Sequence, residues 1–131
     1  MRMNRKKNLF LAAFLAWIIP GAGHYYLGRR GVGIIVFILI SATFFYGMYL
    51  GELKNVYPER YTMSFLAQAC TGTPAAVGVY LNYQTTGMVD ESKPTFDVSF
   101  VYCGVAGLLN LLLIIDAAYV ASGGKRGDDP V

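Results

Sequence analysis

Four apolar stretches, separated by short polar ones, divide the chain. The first opens as "LFLAAFLAWII", Leu9 to Ile19, and extends to about Leu27 across Pro20. The second, Gly31 to Leu50, has no charged residue over its whole length. The third, Tyr61 to Leu81, is interrupted by Gln68, Thr71, Gly72, Thr73 and Pro74. The fourth runs from Val98 to Ala121 and contains a single acid, Asp116. An α-helix needs about 20 apolar residues to cross the hydrocarbon core. The second and fourth stretches meet that length directly. Eleven residues rise only about 16 Å, so the first spans only if the helix continues through Pro20 with a kink or little tilt. The third is either a broken, re-entrant helix or a pair of short interfacial helices.

The expected fold is therefore all-α. It is a small polytopic helical membrane protein with three to four transmembrane helices and a broken third segment. Residues 1–131 form one integral membrane domain, with segments at about 9–27, 31–50, 61–81 and 98–121 and a loose tail at 122–131. The sequence shows no internal repeat.

Composition supports lipid as the main solvent: 55% of residues are hydrophobic and 15% charged, against about 25% charged in soluble domains. Arg2, Arg5, Lys6 and Lys7 crowd the start of the chain, as in a cytoplasmic flank beside a membrane segment. No basic surface follows them, so nucleic acid is excluded as the expected partner. The basic start and apolar run resemble a secretory signal. No small-residue cleavage site follows, so the expectation is a retained anchor. With four crossings, the basic residues favour both termini inside. With three, the N-terminus is still inside. The expected location is a bacterial cytoplasmic (inner) membrane, with the N-terminus cytoplasmic. Cys70 and Cys103 are expected to be free thiols, since two cysteines do not make a disulfide framework.

The chemistry-bearing candidates are few. "PGAGHYYLGRRG", Pro20 to Gly31, holds the chain's single histidine, His24. It has no metal-ligand spacing around it, and the expectation is an interfacial imidazole. Tyr25 and Tyr26 fit an aromatic belt. Gly28 and Gly31 bracket a tight connection. Arg29 and Arg30 between them are placed to reach phosphate headgroups or an anionic ligand. Asp116 is an intramembrane carboxylate and needs a partner. Lys6, Lys7 or Arg126 would serve with four crossings, and Arg29, Arg30 or His24 with three. Ser99, Cys103, Gly107, Asn110, Ala117 and Ala121 share one face of the fourth segment at about 100° per residue. That small, polar stripe suits helix packing, with Asn110 hydrogen-bonding across it. Gly47 and Gly51 have small-xxx-small spacing.

Two stretches carry a resemblance. "PGAGHYYLGRRGVGI" resembles the glycine-, histidine- and aromatic-rich turn of the TM-two domain family. "GLLNLLLIIDAAYVASGGK" resembles the last helix of a related, uncharacterised bacterial membrane family with an L-N-x-L-x-x-x-D-A signature. His24 directly precedes Tyr25 and Tyr26, where the TM-two pattern has an extra residue. The stretch from Glu52 to Asp97 has no counterpart in a two-helix domain. Membership in the uncharacterised relative is therefore expected. The resemblance implies a helical membrane protein and brings no reaction, ligand or cofactor.

The functional expectation is a non-enzymatic packing or interaction component. It would bind the lipid bilayer and form homo- or hetero-oligomers through small-residue helix faces. The alternative is an accessory or small subunit of a transport or ion-conducting system, using Asp116, Asn110, Gln68 and His24. No nucleophile–base pair or metal set is readable, so no enzyme and no cofactor are expected.

Overall fold

A computed structural model describes residues 8–56, 62–85 and 92–124. Lys6, Lys7 and Arg126, three of the expected partners of Asp116, lie outside the described residues, as does most of the expected tail.

The described elements are helical: α1 (Leu9–Ile18), α2 (Ala22–Tyr26), α3 (Arg30–Leu50), α4 (Thr62–Ala69), α5 (Thr73–Gln84) and α6 (Pro94–Ala121). The Asn8 side chain caps α1, accepting from the backbone N–H groups of Phe10 at 3.1 Å and Leu11 at 3.4 Å. Two helices, α3 and α6, are long and apolar enough to cross a membrane. They rise about 31 and 42 Å. Only 28% of the apolar window of each is buried. Ile35, Leu39, Leu108, Leu112 and Ile115 stand exposed, an extended apolar surface of the kind that marks a membrane or protein contact.

α3 and α6 are antiparallel. A side chain at Gly47 would meet Cys103 Sγ at 2.7 Å, and one at Gly51 would meet Ser99 Oγ at 2.8 Å. The small-xxx-small pair is thus the seat of α6 on α3, as small residues permit. The expected α6 stripe is the buried one: Ser99, Cys103, Gly107, Asn110 and Ala117 are all buried, and Ala121 is half-buried. Ile40, Phe44, Met48, Val56, Ala75, Cys103 and Ala106 form the core. Both thiols are free.

The first segment departs from expectation. The helix does not continue through Pro20. It ends at Ile18, and the chain turns back. Gly21 takes φ +83° with its Cα against the Gly33 carbonyl, a conformation and a spacing that only glycine meets without strain. Gly23 then packs against the Ala12 carbonyl and the Ala16 and Ala117 methyls. Pro20 has no N–H to extend the helix, and Gly21 reverses the chain. α1 and α2 make a broken hairpin whose tip is Ile19–Gly21.

The third segment is broken, as expected, between Ala69 and Thr73. Gly72 takes φ +69° and sits against the Trp17 carbonyl, and Pro74 occupies the first turn of α5, where its missing N–H costs nothing. Gly107 lies against Ala67, while Gly78 lies near Phe44, Met48 and Val56. So α4 runs alongside α6 to mid-length, and α5 returns toward the end it came from.

The order broken hairpin then long helix thus occurs twice, entering from opposite ends. The two halves pack differently, since α1 and α4 both lean on α6. That asymmetry leaves no repeat for the sequence to display. The tips meet at mid-length. Trp17 Nε1 donates to the Ala69 carbonyl at 3.2 Å, and the Thr73 hydroxyl donates to the Ile18 carbonyl.

Candidate functional site

His24 sits in the middle of α2, held there by the reversal at Gly21. Asp116 sits on α6, one residue before the Ala117 methyl that packs on Gly23. Their side chains meet, His24 Nε2 to Asp116 Oδ2, at 2.8 Å. The imidazole is fully buried, and the Asp116 side chain is 22% exposed. His24 is therefore not the interfacial ring expected from sequence. Folding α2 back along α1 buries it under α6. Of the partners expected for Asp116, His24 meets it; Lys6, Lys7 and Arg126 lie outside the described residues.

With Asp116 ionised, Nε2 carries the proton and donates. Nδ1 is buried and has no partner among the described residues.

The other residues of the turn lie beside His24 in the chain. Tyr25 is half exposed, and the Arg30 guanidinium lies over its ring at 5.5 Å from the centroid, a cation–π contact. Tyr26 and Arg29 are half-buried. Gly28, at φ +91°, ends α2 and lets Arg29 lead into α3.

Asn110 serves the hairpin tips. Its Nδ2 donates to the Ala16 carbonyl at 3.1 Å and to the Cys70 carbonyl at 2.8 Å. One amide thereby satisfies carbonyls left open at the C-terminal ends of both α1 and α4. Gln68 Nε2 donates to the Asn55 carbonyl at 3.3 Å. Asn55 Nδ2 donates to the Gly47 carbonyl at 3.4 Å and to Cys103 Sγ at 3.3 Å. The acceptor oxygens of Asn55, Gln68 and Asn110 are buried without a partner among the described residues. Polar groups therefore recur along the inner side of α6, from Ser99 to Asn110.

Sequence reasoning placed His24, Asn110, Gln68 and Asp116 among the candidates. It missed Asn55, Trp17 and Thr73. Asn55 stands in a short polar stretch that reads as solvated. Trp17 reads only as one of the eleven apolar residues that open the first segment. Thr73 was visible only as an interruption. No group of three His, Cys, Asp or Glu side chains that could hold a metal ion occurs among the described residues.

Fold and site together define, among the described residues, an all-helical arrangement with two long apolar helices, two broken hairpins and a histidine–carboxylate pair with the imidazole buried. The chain belongs to DUF6677, a family of unknown function, which matches residues 11–128. The expected kinship with an uncharacterised family holds at that level. The chain is also similar to Uncharacterized protein MJ1516 of Methanocaldococcus jannaschii, with 53% identity over 34 residues, 26% of this chain and 34% of that protein. It thus spans about a third of the length of the curated relative it matches. No solved structure matches the chain.

Proposed function

We propose that this chain is a non-enzymatic integral membrane protein that serves as a small ion-conducting subunit, with His24 and Asp116 as its working pair. The observation that carries the reading is the pair itself. Ionisable groups inside an apolar helical bundle are costly and characteristically mark ion or proton pathways. Broken helices meeting at mid-depth are the form irregular backbone takes where it lines such a path. Asn110 on α6 and Gln68 on α4 supply further buried polar groups inside the bundle.

The reading includes an orientation. The start of α1, the start of α3 and the end of α6 share one end of the bundle. Arg2, Arg5, Lys6, Lys7, Arg29, Arg30, Lys125 and Arg126 flank that end in sequence, while Lys54, Arg60 and Lys93 flank the other. The excess supports a cytoplasmic N-terminus with α3 and α6 as the two crossings. The membrane inferred is a prokaryotic cytoplasmic membrane, and the 20–31 turn supports kinship with the TM-two family.

The test is ion flux in proteoliposomes. Wild-type chain should dissipate an imposed proton or cation gradient, and Asp116→Asn should slow it. Flux in neither form would remove the proposal. The reading as a packing component then becomes the stronger one. Its original motive, the small-residue faces of α3 and α6, is already engaged within the chain. Crosslinking in mild detergent tests whether other surfaces join copies.

A further inference from the structure

An apolar groove of about 300 Å³ opens on the outer surface between the α1–α2 hairpin and α3. Its walls include Ile19, Pro20, Ala22, Tyr25, Ile34 and Phe37. None of the residues lining it is charged. It exists because Gly21 and Gly33 touch backbone to backbone and leave the flanking side chains standing as two rims. Ile19, Ile34 and Phe37 are each between 43% and 52% exposed, so the groove faces outward along its length.

The two ends of the groove differ. Arg30, the first residue of α3, lies over the Tyr25 ring at one end. Phe37 lies two turns further along α3, about 10 Å deeper, beside the hairpin tip. A cation thus stands at the shallow end and hydrocarbon-lined space runs inward from it. That is the layout of a phospholipid with an anionic headgroup, phosphate at the guanidinium and acyl chain in the slot. A second copy of the chain would seat best on small residues. Gly33, Gly47 and Gly51 are instead turned inward against Tyr25, Cys103 and Ser99.

We propose that this groove is a binding site for an anionic phospholipid, with Arg30 holding the headgroup and the Ile34–Phe37 wall holding the chain. The inference rests on the membrane location in the reading above and not on its ion-conducting part.

The test uses the full chain extracted from membranes in mild detergent and titrated with phosphatidylglycerol or phosphatidylcholine of equal chain length, with retained lipid read by native mass spectrometry. Phosphatidylglycerol should be retained preferentially. Arg30→Gln should cut that preference about fivefold, the worth of one basic contact to an anionic headgroup. Ile34→Trp, which fills the slot, should lower retention of both lipids. Lys93→Gln, at the other end of the bundle, should change neither. Glycerol phosphate, which lacks chains, should not displace the lipid.

Equal retention of the two lipids, or an unchanged preference in Arg30→Gln, overturns the site. Displacement by glycerol phosphate reduces it to a surface anion contact and overturns the groove. Recovery of the chain in the soluble fraction overturns the membrane location and this proposal together. A chain that binds lipid as described but conducts no ions leaves this proposal standing while the conducting role fails.

Discussion

His24 and Asp116 stand 92 positions apart and meet at 2.8 Å, imidazole buried and carboxylate partly open. The contact joins the short α2 helix to the far end of α6, and it exists only because the chain reverses at Gly21. The two partners are unequally buried, so their removal should be unequally costly. His24→Ala empties a fully buried site and removes the imidazole from the carboxylate, a loss of about 3 kcal/mol. Asp116→Asn keeps a polar group against Nε2 and should cost about 1 kcal/mol. Thermal melting of the purified variants in detergent measures both. The double variant should fall short of the sum by about 1 kcal/mol. Strict additivity would mean that the pair contributes nothing.

Asn110→Ala tests the join between the hairpin tips. The substitution removes donors from the Ala16 and Cys70 carbonyls and leaves both open in an apolar interior. The expected cost is about 1–2 kcal/mol. The loosening should also be local. Maleimide labelling of the half-buried Cys70 should accelerate in Asn110→Ala, while labelling of the buried Cys103 should stay slow. Equal acceleration at both thiols would show global loosening and not a tie at the tips.

Much of this arrangement was legible before any coordinates. Helices α3 and α6 follow from uninterrupted apolar length. The α6 stripe follows from the 100° spacing of Ser99, Cys103, Gly107, Asn110 and Ala117. The break in the third segment follows from Gly72 and Pro74. The first segment misled because its eleven apolar residues invite extension through Pro20. The reversal there rests on the conformation of Gly21 and its contact with Gly33, a tertiary fact that periodicity does not carry. His24 moved with it: beside Tyr25 and Tyr26 it looks interfacial, and only the fold-back of α2 buries it. Asn55 was hidden for a related reason. A polar stretch after a long helix looks solvated, and nothing local shows that one amide turns inward to Cys103.

Gly72→Ala tests the second reversal. The new methyl would collide with the Trp17 carbonyl, at a positive φ that disfavours alanine. The expected loss is about 2 kcal/mol or more. Gly104→Ala is the matched control. It lies in α6 with nothing within 4 Å of the added carbon, and it should be neutral or gain up to about 1 kcal/mol from helix propensity. A comparable loss at both positions would mean that the tip of α4–α5 is not packed as described.

The fold-back of α1–α2 makes a topological prediction that separates it from a through-crossing first helix. In a variant lacking both native cysteines, single cysteines would be placed at Arg29, Lys93 and Ser122, and each tested with a membrane-impermeant thiol reagent on sealed vesicles of one orientation. α3 and α6 run antiparallel, so their Arg30 and Ala121 ends lie together, and the Glu52–Lys93 ion pair at 2.6 Å marks the other end. With the N-terminus cytoplasmic, the positions at Arg29 and Ser122 should therefore label from the cytoplasmic side, and Lys93 only from the opposite side. A first segment that crossed would put Arg29 opposite the N-terminus, on the side of Lys93 if Ser122 is cytoplasmic. With four crossings it would also carry His24 away from the end of α6. Labelling of Arg29 and Lys93 from a common side would thus break the His24–Asp116 pair as well as the hairpin, because α2 cannot sit at the far face and still reach Asp116.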